Sequence, residues 1–293
     1  MASLKKLRQR IDAVTGISQV TRAMKMVAAA RLKKSQRNIL QARPYAFRIN
    51  DVLRHLLPTI DRSLNRLLEV RSPEHIGFVI ITADGGLCGS FNANIIQAAL
   101  ETLHDTDREK VKLICVGKKG REFFRRRGYT VIGEYVGFWR DLNFRHAVSI
   151  VDQIRHLYVA HDLDQVVVIF NEFKSVLRQD VVKLQFLPLV VEEENHEAGL
   201  SRAGRDYLFE PSPAEIVNSL VPLHLNVQMW RFLLESNAAE QAARMTAMEN
   251  ATENAREMIR DLTLTLNQLR QAAITKEILE VVSGADALKL GRE

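Results

Sequence analysis

From Leu4 the chain places an apolar residue at every third or fourth position, at Leu7, Ile11, Val14, Ile17, Val20, Met24 and Val27. That spacing keeps one stripe along the face of an α-helix. Ser3 offers a side-chain acceptor for the first free amides. The stripe continues less regularly through Leu32, Ile39, Phe47, Val52 and Leu56 as far as Pro58. Pro44 predicts a bend or break on the way, because its ring removes an amide and crowds the preceding turn. The segment predicts a helix of about 55 residues, roughly 80 Å at 1.5 Å per residue. A compact domain of this size has no use for that length.

The far end of the chain is more regular. Leu234, Ala238, Gln241, Met245, Met248, Thr252, Ala255, Ile259, Leu262, Leu266, Leu269 and Ala273 follow alternating steps of four and three, the heptad seam of a coiled coil. The stripe then shifts by one position to Ile274, Ile278, Val281, Ala285 and Leu288, as a stutter or a change of packing partner requires. A helix in an ordinary bundle is the plainer alternative, but such helices rarely exceed about 20 residues.

Between these helices the period changes. Ile76 to Ala83 reads as a buried strand, followed by a glycine-rich turn over 84–89 and a helix from Asn92 to His104. Lys112 to Gly117 predicts a second strand, 118–127 a short helix closed by Gly128, and 129–135 a third strand. A helix from Phe144 to Ala160 and a strand from Gln165 to Phe173 come next. Val181 to Val191 is the last strand, placed at the sheet edge by Pro188. Alternating strands and helices imply a mainly parallel three-layer α/β domain. The acidic run from Glu192 to Glu197 and the Gly- and Pro-containing stretch to Pro213 read as a connecting loop.

The predicted division is therefore an N-terminal coiled-coil helix over 1–58, a Rossmann-like domain over 74–192, a connecting loop over 193–212 and a C-terminal coiled-coil helix over 213–290. Connectivity makes the two helices antiparallel. The second is longer by about 20 residues, or roughly 30 Å. Its unpaired apolar end implies a sleeve or socket on a partner.

Composition narrows the function. With 46% hydrophobic and 26% charged residues among 293, the chain has the makeup of a globular protein. Its longest apolar runs fall well short of the roughly 20 residues of a membrane span, so membrane association is expected only through partners. The N-terminus lacks the apolar run and cleavage site of a secretory signal. Cys88 and Cys115 have no metal-binding or CxxC spacing and read as inert thiols. Residues 1–50 hold twelve Lys and Arg against the single acid Asp12, +11 within a formal total of +6. The basic character is therefore local and implies an acidic partner, whether protein, nucleic acid or anionic lipid.

Candidate chemistry is sparse. Asp84-Gly-Gly-Leu-Cys-Gly-Ser-Phe-Asn follows a strand and precedes a helix, where backbone amides attract anions. It matches neither GxxxxGK[ST] nor GxGxxG, and a tight structural turn is the better reading. Gly117-Lys-Lys-Gly reads as a helix start. The histidines lack zinc spacing, and no GxSxG elbow is present. No catalytic, cofactor-binding or metal-binding residue is expected. Arg125-Arg-Arg is a basic turn suited to acidic lipid head groups or to solvent alike.

Three long stretches resemble a known family. Thr21-Arg-Ala-Met-Lys-Met-Val-Ala-Ala-Ala-Arg-Leu, Glu240-Gln-Ala-Ala-Arg-Met-Thr-Ala-Met-Glu-Asn-Ala-Thr and Arg270-Gln-Ala-Ala-Ile-Thr-Lys-Glu-Ile-Leu-Glu-Val-Val-Ser-Gly-Ala are similar to the terminal helices of gamma subunits of rotary (F-type) ATP synthases. Gly86-Leu-Cys-Gly fits the same pattern. The resemblance spans essentially the whole chain. It implies a central-stalk rotor inside a hexamer of alpha and beta subunits, meeting an epsilon subunit and a membrane ring of c subunits, with no cofactor of its own. Rotation of the ring would drive the beta-subunit sites through different affinities.

By match to the family pattern, Met24 and Lys25 face the acidic lever of a beta subunit. Arg244, Gln271, Thr275 and Glu277 contact the hexamer higher up, while Tyr207 and Glu210 meet epsilon and the c-ring. Ser90 stands where a glycine is common, which puts only the turn geometry in question. The cysteine pair of chloroplast forms and an organelle presequence are not seen. The resemblance thus implies a bacterial form, peripheral to the cytoplasmic side of the cell inner membrane. The residues alone also admit two rival readings. One is a nucleotide-binding Rossmann enzyme with a coiled-coil oligomerisation arm. The other is a basic nucleic-acid binder, for which residues 1–50 hold few aromatics, Tyr45 and Phe47.

Overall fold

A computed structural model of the protein describes residues 2–56, 65–189 and 212–290. The chain forms α1 (Ala2–Leu56), β1 (Ile76–Ile81), α2 (Phe91–His104), β2 (Val111–Val116), α3 (Lys118–Arg126), β3 (Val131–Tyr135), α4 (Phe144–Val159), β4 (Gln165–Phe173), β5 (Gln179–Leu187) and α5 (Pro213–Leu290). It divides into two compact units, residues 28–244 and residues 1–27 with 245–293. Helices α1 and α5 contribute to both.

In the larger unit the five strands run in the order β3-β2-β1-β4-β5. The first four are parallel, and β5 pairs antiparallel with β4 at the edge. Successive side chains of a strand point to opposite faces, and β1 shows it directly. Phe78 and Ile80 join a core with Phe91, Ile95 and Ala99 of α2 and Phe124 of α3. Val79 and Ile81 join the other core, with Ile150, Val151 and Ile154 of α4 and with Ile49 and Leu53 of α1 and Val221, Leu225 and Leu233 of α5. The sheet is thus covered on one face by α2 and α3, and on the other by α4 and segments of the two long helices.

Pro44, expected to bend or break the first helix, lies within α1, and Pro222 lies within α5. Each removes a backbone bond, yet Pro44 neither breaks nor ends α1. Burial of Ala46, Ile49 and Leu53 beside it, and of Val217, Val221 and Leu225 around Pro222, holds both segments helical.

His224 on α5 is only 4% exposed, among those apolar neighbours. Burial, reinforced by the charge of Arg231, pushes its imidazole down from 6.5 to about 4. The unfolded chain therefore takes up a proton near pH 6.5 that the folded chain refuses until about pH 4, so stability is lost as pH falls through that window. Over it the native chain should lose about 3 kcal/mol more than His224→Leu. Urea midpoints measured for both chains from pH 7 to pH 4 check this, and parallel curves would rule out a buried neutral imidazole at this position.

In the smaller unit α1 and α5 run antiparallel. Thr21 Oγ1 meets Thr252 Oγ1 at 2.7 Å, and Lys25 Nζ pairs with Glu249 Oε1. The inward positions of α1 are Leu4, Leu7, Ile11, Val14, Ser18 and Thr21, whereas Ile17, Val20 and Val27 are 56%, 59% and 50% exposed. The apolar stripe expected from sequence is corrected here. A strict heptad carries Ser18 and Thr21 inward, and their small side chains let the backbones approach while a hydroxyl pair satisfies the buried oxygens.

Candidate functional site

The turn after β1 is closed on itself. Asn92 accepts a hydrogen bond from the Ala83 amide at 2.9 Å and donates to the Gly85 carbonyl at 3.2 Å. Asp84 accepts from the amides of Lys118 and Gly137, each at 2.8 Å. Left-handed backbone falls at Leu87 and Gly89, while Ser90 has φ −83°. The serine at the position where glycine is common therefore costs the turn nothing.

The start of α3 is equally occupied. The amides of Lys118, Lys119 and Gly120 donate to Asp84 Oδ1, the Ala83 carbonyl and Thr82 Oγ1. A phosphate finds no free donor among these three amides. Doubly wound sheets bind ligands beyond the carboxyl ends of their strands, where the connections diverge. Here that point lies between β1 and β4, and α5 lies against the turn beside it. Ala239 packs into the α2 core, and Arg244 Nη2 donates to the Gly86 carbonyl at 3.3 Å. The described geometry gives the nucleotide-enzyme reading no support.

Arg244 also pairs with Glu240 Oε1 at 2.6 Å, their side chains 13% and 7% exposed. Burial raises the Glu240 carboxyl above its ordinary value, and the Arg244 guanidinium opposes the rise. Burial also pushes Cys115 up to about 12 and raises Cys88, so neither thiol is activated. Among the described residues no His, Cys, Asp or Glu cluster suits a metal ion, and no helix is long and apolar enough to cross a membrane.

The remaining expected contact residues fall in three places. In the smaller unit Met24 is half-buried, and Lys25 joins Arg22, Glu249, Glu253 and Arg256 around a cavity of about 300 Å³. Gln271, Thr275 and Glu277 are exposed near the end of α5. Gln271 and Thr275 share a face one turn apart, while Glu277, two residues on, lies nearly opposite. Arg244 belongs to the larger unit and is engaged there. Tyr207, Glu210 and nearly all of the loop 193–212 lie outside the described residues.

Sequence reasoning passed over Glu240, although its spacing of four from Arg244 signals a helical ion pair. It also passed over Glu249, the partner of Lys25. The basic turn proves partly engaged: Arg125 pairs with Glu134, and the Arg127 guanidinium lies 4.4 Å from the Phe123 ring centroid.

Pairing of residue 21 with 252 and of 25 with 249 sets Ala2 opposite about residue 271 in an antiparallel pair. Beyond that point Ile274, Ile278, Leu279, Val281 and Val282 are 46–72% exposed. These residues form an apolar helix surface that the described part of α1 does not cover.

Comparison with known proteins agrees over the whole length. A family model described as ATP synthase matches residues 3–288. The chain is 47% identical to the ATP synthase gamma chain of Chloroherpeton thalassium, covering 99% of each, and 48% identical to that of Chlorobaculum parvum, covering 99% of this chain and 100% of the relative. A chain in the mitochondrial ATP synthase of Euglena gracilis shares the fold with a TM-score of 0.71 at 19% identity, covering 100% of this chain and 96% of its own. A chain of the central stalk and c-ring structure from Tetrahymena thermophila matches with a TM-score of 0.63 at 27% identity, over 79% of this chain and 99% of its own.

Proposed function

Since this chain belongs to the ATP synthase gamma-chain family, we propose that it turns as the central shaft of a bacterial ATP synthase, coupling rotation of a c-subunit ring to the cycling of beta-subunit sites. It is a non-catalytic subunit of that complex, peripheral to the membrane. Its partners are the alpha and beta subunits, the c-ring and an epsilon subunit. The working division is a first shaft helix over 1–58, the α/β domain over 74–192, a loop over 193–212 and a second shaft helix over 213–290. Its place is the cytoplasmic side of the inner membrane.

The observation that carries this reading is the antiparallel helix pair of the smaller unit, extended by an apolar end that α1 does not cover. An enzyme arm needs no such end, whereas a shaft seated in a socket does. Gln271 and Thr275 on one face and Glu277 on the other suit a partner that surrounds the helix rather than one that lies along it. Met24 and Lys25 are the residues we assign to the beta lever. Arg244 joins the upper hexamer contacts, and Tyr207 with Glu210 the contacts to epsilon and the ring.

Assembly with alpha and beta subunits tests the assignment. The isolated chain should not hydrolyse ATP, and addition to alpha and beta should yield a rotating ATPase. Removing residues 284–293 should leave rotation in a less stable complex, since the seam through Ala273 remains. Deleting back to Leu262 should be far worse, because half-buried Leu266 and Ala273 leave the seam and the contacts assigned to Gln271, Thr275 and Glu277 go with them. Equal loss of ATPase rate and rotation in both truncations would refute the division into paired shaft and seated end.

A further inference from the structure

A concave polar site of the larger unit shares only Arg244 with the contacts assigned above to the shaft. A cavity of about 660 Å³ opens between α1, the turn after β1, the β3–α4 connection and α5. Arg31 and Lys34 of α1, three residues apart and so on one face, approach it from one side, and Arg140 of the connection from another. All three are exposed, and among the described residues none forms an ion pair. The two acids on the wall are already engaged, Glu240 by Arg244 at 2.6 Å and Asp84 by two amides at 2.8 Å. With Arg244 counted, four cations face the two acids Asp84 and Glu240, so the lining is positive even though Arg31 also acts on the Glu240 carboxyl.

Two buried polar groups of this wall lack partners. Gln241, only 5% exposed, has an amide oxygen without a hydrogen bond, and the indole N–H of Trp139 is likewise unpaired. Leaving such groups dry and unpaired is costly, and native proteins rarely do so without a ligand or water. An amide presents either its oxygen or its NH2 by rotation, so Gln241 can serve as a donor. Trp139 is fixed by stacking on Phe138 at 5.0 Å, which stacks in turn on His146 at 4.6 Å. Three cations and two neutral donors around one volume suit an anion with several oxygens, and the volume is that of a small-molecule site.

We propose that this cavity binds a small phosphorylated molecule, its phosphate oxygens held by Arg31, Lys34 and Arg140 and capped by Gln241 and the Trp139 indole N–H. Such a ligand would join α1, α5 and the α/β layer at one point and brace them together.

The chain has only two tryptophans, so the full chain carrying Trp230→Phe reports on Trp139 alone. Inorganic pyrophosphate titrated at constant ionic strength, with chloride making up the difference, should change its emission saturably. The double variant Arg31→Gln/Arg140→Gln should weaken binding at least about tenfold, since charge-assisted bonds are lost. Arg145→Gln, exposed and outside the cavity, should bind as before. Thermal melts of each variant show whether it remains folded. No saturable change, equal weakening by Arg145→Gln, or saturation by a glutamate-rich peptide but not by pyrophosphate would each overturn the proposal. A negative result leaves the shaft assignment untouched.

Discussion

Gly117→Ala should prevent stable folding of the larger unit. Gly117 has φ +98°, and a Cβ built on it would sit 2.1 Å from the Thr82 carbonyl oxygen and 2.6 Å from the Thr82 carbonyl carbon. The obstacle is backbone, so no side-chain rotation relieves it. Moving either segment breaks the bonds from Thr82 N to the Val116 carbonyl and from Gly117 N to the Tyr135 carbonyl, both 2.7 Å, which tie the ends of β1, β2 and β3 together. Left-handed strain and displaced backbone together should cost more than about 4 kcal/mol, against a usual total of about 5–15 kcal/mol. Gly86→Ala is the control, because a Cβ there meets nothing within 4 Å and its φ is not in the left-handed range. If urea midpoints of the two variants coincide, the close approach at Gly117 is not what holds these strands in place.

Arg244→Ala should come next in severity, at about 3–5 kcal/mol near neutral pH, the usual cost of leaving one member of a buried ion pair behind. Glu240 is 5% exposed, and its carboxyl already sits above the ordinary value because burial outweighs the help of Arg244. Without that help it rises further. A folded chain that holds a proton the unfolded chain has released loses stability as pH rises from 4.5 through the folded value. The variant should therefore be weakest at high pH and recover on acidification. Adding Glu240→Gln should restore most of the loss and flatten the pH dependence. Chemical denaturation of single and double variants at two pH values tests this, and a loss independent of both pH and Glu240→Gln would show that Arg244 acts otherwise. Any coupling defect of Arg244 variants thus needs the double variant as its reference, so that contact with the hexamer is separated from folding.

What was legible in the sequence follows from the range of the forces involved. The seam of α5 was readable because burial repeats every three or four residues: Ala238, Gln241, Met248, Thr252 and Ala255 are all buried. The strands showed because apolar runs between turns have few alternatives. The same reasoning placed the inward stripe of α1 on Ile17, Val20 and Val27, since it weighed residue type above strict heptad position. Closeness of the two backbones favours Ser18 and Thr21 instead. The site was less legible. Asp84 accepts from amides 34 and 53 residues further on, and the cavity joins Arg31 to Arg140 and Gln241. No local pattern announces such meetings, because only the completed sheet brings those segments together.

The hydroxyl pair of Thr21 and Thr252 has a consequence for length. A heptad seam is degenerate to slips of seven residues, and a slip in either direction would set the Thr21 oxygen against Ile259 or Met245. Either mismatch forfeits the cross-helix bond, at about 1 kcal/mol, and also separates Lys25 from Glu249. Two polar pairs therefore act as a vernier on the helix pair. They fix how much of α5 stands clear of α1, a quantity that would otherwise vary in steps of about 10 Å.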